Sequence, residues 1–335
     1  MGDDTTRMIT DALQKLGLAS AGDVRAITQL TGGVSSDIWR IDLPDRSICA
    51  KRALSRLKVS AVWEAPLSRN SYEYAWYQRV ASVFQGVTPR MLGRDAEAGI
   101  FFMEFLEPER YPVWKSLLLK GCVDLHVAEQ IGGNLGRIHA HTAGSAEIAA
   151  RFKSDAEFFS LRLEPYLLAT IDRHPALGDT LRGICNTTAA TRLVLVHGDV
   201  SPKNILCGPD SPVFLDAECA WYGDPAFDLA FCLNHMLLKA VHLPEKAGDF
   251  FSAFEVLYQA YLAQVNWEQA ASVEARTARL LPALFLARVD GKSPVEYLTQ
   301  AAEKETVRRV ALACLRASPD RLGAVMQMAK GLIKS

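Results

Sequence analysis

The spacing of apolar residues changes character once along the chain. Residues 8–18 bring Ile9, Leu13, Leu16 and Leu18 close to helical spacing, with Gly17 near the predicted helix end. A β-rich stretch follows. Ala26-Ile27-Thr28-Gln29-Leu30 and Ile38-Trp39-Arg40-Ile41-Asp42-Leu43 flank Thr31-Gly32-Gly33-Val34-Ser35-Ser36. Pro44-Asp45-Arg46 reads as a turn, and Ser47-Ile48-Cys49-Ala50-Lys51 as the next strand. From about Ser68 to Phe84 the period is helical, with Tyr72, Trp76, Val80 and Val83 on one face. Met91-Leu92-Gly93 predicts a short strand, and residues 99–106 a buried one that ends near Pro108.

Beyond Pro108 helical patterns dominate. Leu125, Ala128, Ile131, Leu135 and Ile138 make an apolar stripe, and further helices are predicted over about 226–241, 249–266, 270–289 and 300–317. Pro282 is expected to kink or break the third of these. Short β runs interrupt the helices at Leu193-Val194-Leu195-Val196 and Val213-Phe214-Leu215. The order predicts an α+β chain: a β-rich part over 1–107 carrying one main helix, then a mostly helical part over 108–335.

Composition narrows the class. Hydrophobic residues make up 49% and charged residues 22% of 335, the balance of an ordinary globular protein. Residues 1–107 carry 13 basic and 13 acidic side chains, and residues 108–335 carry 24 and 25. Neither part has the one-sided charge that attracts nucleic acid or an anionic membrane. The seven cysteines are odd in number and contain no Cys-x-x-Cys pair, which predicts reduced thiols in a cytoplasmic protein. No apolar run approaches the roughly 18 residues that a membrane span needs.

The chemistry concentrates in His197-Gly198-Asp199-Val200-Ser201-Pro202-Lys203-Asn204-Ile205-Leu206, which follows a β run and precedes Asp216 by 17 residues. Phosphoryl transfer passes through a loose transition state that needs positioning and charge neutralisation more than covalent help. One aspartate, Asp199, suits the orientation and deprotonation of an acceptor hydroxyl. Asn204 and Asp216 supply the few hard oxygens that Mg2+ prefers. Either Asp199 or Asn204 alone would read as a backbone-capping turn residue. Asp-x-x-x-x-Asn followed by a second aspartate is the more specific signal.

The segment 197–229 resembles the aminoglycoside phosphotransferase family of small-molecule kinases. It has His-Gly-Asp in place of the protein kinases' His-Arg-Asp, and an acidic, aromatic run from Asp216 to Gly223-Asp224-Pro225, then Asp228. The resemblance extends more loosely over about 25–235. It implies a bilobal protein-kinase-like fold, with 1–107 as the nucleotide-binding lobe and 108–335 as the catalytic and acceptor-binding lobe. It also implies ATP and Mg2+, with GTP left open. By resemblance Lys51 contacts the phosphates and Glu73 is its helical ion-pair partner. The loop bearing Gly32, Gly33, Ser35 and Ser36 covers the phosphates, and Glu104 and Leu106 offer backbone groups to the adenine edge. Asp228 is expected to support the catalytic loop, and His197 to hold it rather than act as a base.

The expected acceptor is a hydroxyl of a sugar, amino sugar, amino alcohol or related metabolite. A polycationic aminoglycoside would call for an acidic pocket, which the near-neutral charge count does not support. Residues 62–69 are similar to the matching stretch of methylthioribose kinases. Arg288 and Lys292 read either as a solvated helix cap or as partners for an anionic acceptor. A nucleotide-binding pseudokinase is the alternative reading, although Lys51, Asp199, Asn204 and Asp216 are all present. A protein kinase is disfavoured, because no Asp-Phe-Gly or Ala-Pro-Glu encloses an activation segment.

Overall fold

The computed structural model describes residues 3–30, 36–54 and 68–333. Gly32, Gly33 and Ser35 of the expected phosphate loop, and most of the 62–69 stretch, therefore lie outside the described residues. Five strands, β1 (Ala26–Gln29), β2 (Ser36–Asp42), β3 (Ser47–Ala53), β4 (Met91–Asp95) and β5 (Ile100–Glu104), form one sheet in the order β1-β2-β3-β5-β4. Every neighbouring pair is antiparallel.

Alternation along β3 and β5 gives this sheet two unlike faces. Ile48, Ala50, Ile100 and Phe102 point into a small core with Trp39 and Ile41, closed by Ile9 and Leu13 of the helix Asp3–Lys15. Cys49, Phe101 and Met103 point the other way, into the main core, where Trp76 and Tyr77 of the helix Arg69–Ala81 meet them. Lys51 lies in register with Phe101. Its place on the strand thus sends a lysine side chain into the interior, on the face covered by the 69–81 helix.

The remainder is helical around two small ladders, β6 (Val194–Val196) with β9 (Trp221–Gly223) and β7 (Ile205–Cys207) with β8 (Pro212–Phe214). The helix Pro225–His242 is its buried axis, packed by Ala247–Leu262 and Ala270–Asp290. Asp224 caps it, accepting from the Ala226 amide at 3.0 Å, and Pro225 occupies the first turn, where no amide is needed. Leu125–Thr142 lies against Ala247–Leu262 closely enough that a Cβ on Gly132 would stand 2.1 Å from the Leu257 carbonyl oxygen.

The helices expected over 226–241, 249–266, 270–289 and 300–317 are present as Pro225–His242, Ala247–Leu262, Ala270–Asp290 and Ala301–Ala317. Pro282 does not end its helix, which continues from Ala270 to Asp290. The missing amide is offset by complete burial of Leu281, Ala283, Leu284, Phe285 and Leu286 on either side. Leu322–Ile333, Gly178–Ala190 and Trp114–Leu119 are helices that the spacing did not predict. A second surprise is a wide π-helical stretch, Phe159–Leu168, with Pro165 inside it. All seven cysteines are free thiols, five of them buried. Among the described residues no helix is long and apolar enough to cross a membrane.

The close helix contact yields a paired prediction. Gly132→Ala is expected to cost about 1–3 kcal/mol, because a rigid backbone oxygen stands in the way. Gly133→Ala, with open space around its Cβ, should be neutral or stabilising by up to about 1 kcal/mol. Chemical denaturation of the two variants checks this, and equal stabilities would contradict it.

Candidate functional site

A cleft of about 610 Å3 is lined by residues from the sheet, the 197–216 segment and the helical region. Ser36, Ile38, Lys51 and Met103 line it from the sheet; Asp199, Lys203, Asn204 and Asp216 line it from the segment. The sequence-predicted residues Ser36, Lys51, Asp199, Asn204 and Asp216 thus face one space. Glu73 stands behind Lys51. Glu104 and Leu106 do not line the cleft, although Met103 beside them does. The Glu104 amide is taken by the Arg90 carbonyl at 2.9 Å, whereas the half-buried Leu106 amide makes no hydrogen bond to a described residue.

Lys51 Nζ donates to Glu73 Oε1 at 2.7 Å and makes a short contact with Asp216 Oδ1. Burial would strip the ammonium of its proton, but Asp216 and Glu73 outweigh it and hold the Lys51 pKa well above its usual value. Burial pushes Glu73 up to about 7 in spite of Lys51 beside it. At Asp216 burial also opposes ionisation, yet Lys51 and Lys203 hold the carboxyl below its usual range. One lysine between two carboxylates leaves a formal charge of −1, a setting that favours a further cation.

Tyr77 completes this arrangement, and sequence reasoning missed it. Its hydroxyl donates to Glu73 Oε1 at 3.1 Å and accepts from the Asp216 amide at 2.7 Å. It lies one helical turn after Glu73, so the i,i+4 spacing was the available signal. The bridge steadies an awkward backbone: Asp216 has φ of 66°, in the left-handed region that non-glycine residues avoid at a cost of about 1–3 kcal/mol.

The 197–204 loop is held by its own network. The Asp228 carboxylate accepts from the His197 amide at 2.7 Å and the Gly198 amide at 2.8 Å, and meets His139 Nε2 at 3.2 Å. The support expected of Asp228 is realised in these bonds. His197 Nδ1 accepts from the Asp199 amide at 3.2 Å, so Nε2 carries the proton toward the Leu215 carbonyl at 3.1 Å. Burial lowers the His197 pKa, and a neutral ring already committed at both nitrogens is a strut. Gly198 is required here: φ is 80°, and a Cβ would approach the Cys219 carbonyl oxygen to 2.4 Å.

Asp199 itself is buried, and burial opposes its ionisation. Lys203 at 3.3 Å and Arg162 at 3.0 Å more than compensate, so its pKa lies below the usual value and the carboxylate is charged at neutral pH. Arg162 also donates to the Gly198 carbonyl. It reaches the loop from the π-helical stretch, and nothing local in the sequence marks it. Lys203 sits within the motif, where Pro202-Lys203-Asn204 was the visible signal.

Asn204 spends its side-chain amide on the Asp199 carbonyl at 3.1 Å, and its Oδ1 makes no hydrogen bond to a described residue. Asp216 Oδ2 is likewise uncommitted. Two free hard oxygens on the cleft wall fit Mg2+, which takes few protein ligands and keeps water and phosphate oxygens for the rest. Among the described residues no group of three or more His, Cys, Asp or Glu forms a self-sufficient metal site.

Tyr77→Phe removes a donor from Glu73 and an acceptor from the Asp216 amide, both buried or nearly so. The expected loss is about 1–3 kcal/mol in chemical denaturation. A variant as stable as the parent would show that the bridge carries no weight.

The chain is 24% identical over 201 residues to Protein LicA of Haemophilus influenzae, matching 60% of this chain and 69% of that one. It is 22% identical over 247 residues to a methylthioribose kinase of Escherichia coli, matching 65% of this chain and 58% of the relative. More than a third of that second relative therefore has no counterpart in the match. In fold it is similar to the amicoumacin kinase hAmiN, solved with AMP-PNP and Ca2+, with a TM-score of 0.51, 15% identity, and coverage of 98% of this chain and 100% of that one. The family model described as phosphotransferase enzyme family (APH) matches residues 26–261. The chain belongs to that phosphotransferase family.

Proposed function

We propose that the protein is a bilobal small-molecule kinase, with residues 1–107 as the nucleotide lobe and 108–335 as the acceptor lobe, transferring the γ-phosphate of ATP to an alcohol. The observation that carries this reading is Lys51 paired with both Glu73 and Asp216 on the wall of the cleft that Asp199 and Asn204 also line. Family membership and the nucleotide analogue with divalent cation bound to hAmiN support it.

In this reading Lys51 takes the nucleotide phosphates, and Glu73 and Tyr77 keep its ammonium aimed. The Leu106 amide, free of other partners, serves the adenine edge with the Glu104 carbonyl. Asn204 Oδ1 and Asp216 would hold Mg2+, which would neutralise charge on the phosphate oxygens. The Asp199 carboxylate accepts a hydrogen bond from the acceptor hydroxyl and fixes its lone pair toward the γ-phosphorus. As the new O–P bond forms and the β–γ bridging oxygen leaves with ADP, the hydroxyl proton passes to Asp199. Its low pKa makes Asp199 chiefly an orienting group and a late proton acceptor, as a loose transition state requires. The absence of one-sided charge in either lobe argues against nucleic acid, and free thiols suit a cytoplasmic setting.

Two variants test the roles. Asp199→Asn is expected to lower kcat by about 10^2–10^4 while Mg-ATP affinity stays within about threefold, by calorimetry beside a coupled ADP assay. Full turnover in that variant would remove Asp199 from the chemistry. Asp216→Ala is expected to abolish most of the thermal stabilisation given by Mg-ATP. Parent-like stabilisation there would dissociate residue 216 from the metal nucleotide.

A further inference from the structure

At the end of the cleft away from the sheet, the lining is Lys115, Tyr166, Phe231, His235, Lys239, Arg288 and residues 293–297. Phe231, His235 and Lys239 follow one another at i, i+4 and i+8 on the buried helix Pro225–His242, so they form one stripe along its cleft side. This end is linked to Asp199 through Arg162. Arg162, paired with Asp199, lies 5.9 Å from the Phe231 ring, and Phe231 meets the His235 ring edge-on at 5.9 Å. Tyr166 stands one turn beyond Arg162 and accepts from Arg288 at 3.0 Å.

The charges here do not balance. Lys115 is paired with Glu296, Lys203 with Asp199, and Lys51 with Glu73 and Asp216. Lys239 and Arg288 make no ion pair with any described carboxylate. Lys239 has only the Tyr297 hydroxyl at 3.5 Å and the Tyr297 ring at 4.8 Å. Arg288 has the Tyr166 and Ser293 hydroxyls, and its buried Nε has no partner among the described residues. His235 is 6% exposed, lines the same space, and neither of its ring nitrogens has a partner among the described residues. Buried polar groups left open in this way are rare unless a ligand or water completes them.

Resting on the kinase reading above, we propose that the acceptor is a hydroxylated anion, whose carboxylate or phosphate is held by Lys239 and Arg288, with the His235 ring contributing a hydrogen bond. A cationic amino alcohol or aminoglycoside would have to approach the Arg288 guanidinium and the Lys239 amine, neither of them paired with a described carboxylate, and is disfavoured. A bound oxyanion instead gives Arg288 a counter-charge and favours the protonated form of Lys239. The lining of this pocket already registers their mutual repulsion: burial, then Lys115 and Arg288, lower Lys239 to about 7, with Glu296 opposing. Burial, then Arg288, Lys239, Lys203 and Lys115, keep His235 neutral. Arg288 is thus the half of the sequence expectation that reaches the cleft. Lys292 turns to the surface and pairs with Glu164 at 2.6 Å.

Four probes on one three-carbon backbone separate the charge classes: glycerol, serinol (2-amino-1,3-propanediol), D-glycerate and glycerol 3-phosphate. Calorimetry on the whole chain with Mg-ADP present is expected to show at least one of the two anions binding 10-fold or more tighter than glycerol, with serinol weakest. The carboxylate and phosphate arms distinguish the two oxyanion sources. Lys239→Gln and Arg288→Gln are each expected to weaken the anion at least 10-fold with Mg-ADP affinity retained. Serinol or glycerol binding as well as both anions would overturn the proposal, and that result needs no variant to fold. Anion affinity unchanged in both variants would overturn it too. Loss of Mg-ADP binding in the parent would instead reject the kinase reading itself.

Discussion

The structure turns on a lysine that cannot be buried alone. Lys51 is carried inward by strand alternation, and its ammonium has no water to solvate it. Two carboxylates answer it from different parts of the chain: Glu73 from the helix against the sheet, and Asp216 from beyond β8. Removing either would leave a buried charge short of a partner, which is why the sheet and the 205–223 segment are held at one fixed separation. The Tyr77 hydroxyl reinforces this by touching Glu73 and the Asp216 backbone at once. A cleft wall so defined has polar groups at set positions and little room to relax, the condition for a site that acts by positioning.

A second constraint holds the opposite wall. Asp228 gathers two consecutive loop amides and a histidine, while Gly198 supplies a backbone angle that no side chain would tolerate there. Asp199 therefore reaches the cleft from a loop whose own donors are satisfied. Its two cationic neighbours keep it charged without closing it off, because Lys203 lies half exposed in the cleft. The bonds form a hierarchy: structural carboxylates are saturated, whereas Asp199, Asn204 and Asp216 each keep acceptor capacity toward the space.

Much of this was legible before any coordinates. Lys51 was readable because a strand end followed by a glutamate-bearing helix is a local pattern, and Asp199, Asn204 and Asp216 because their spacing is set by one loop and one hairpin. The helices came through where apolar periodicity was sustained. What was not legible depends on distant chain segments. Arg162 reaches Asp199 from a stretch whose π-helical winding and internal proline mask helical period. Pro282 is expected to kink or break its helix; the helix does not break there, and the reason, burial of the neighbouring turns, is tertiary.

Charge was the property that sequence averaging hid most completely. Residues 108–335 are almost balanced, and that balance speaks against a polycationic acceptor without saying what is favoured. The imbalance is local, because Glu164, Glu268 and Glu303 spend their charge on Lys292, Arg276 and His242 rather than on Lys239 or Arg288. A histidine and a lysine four residues apart inside a mostly apolar, buried helix are the visible trace. That helix lies in the core, an unfavourable place for an ammonium. Polar residues that break such a face are where the fold accepts a cost in stability, and the cleft beside them is the place where a ligand's charge offsets it.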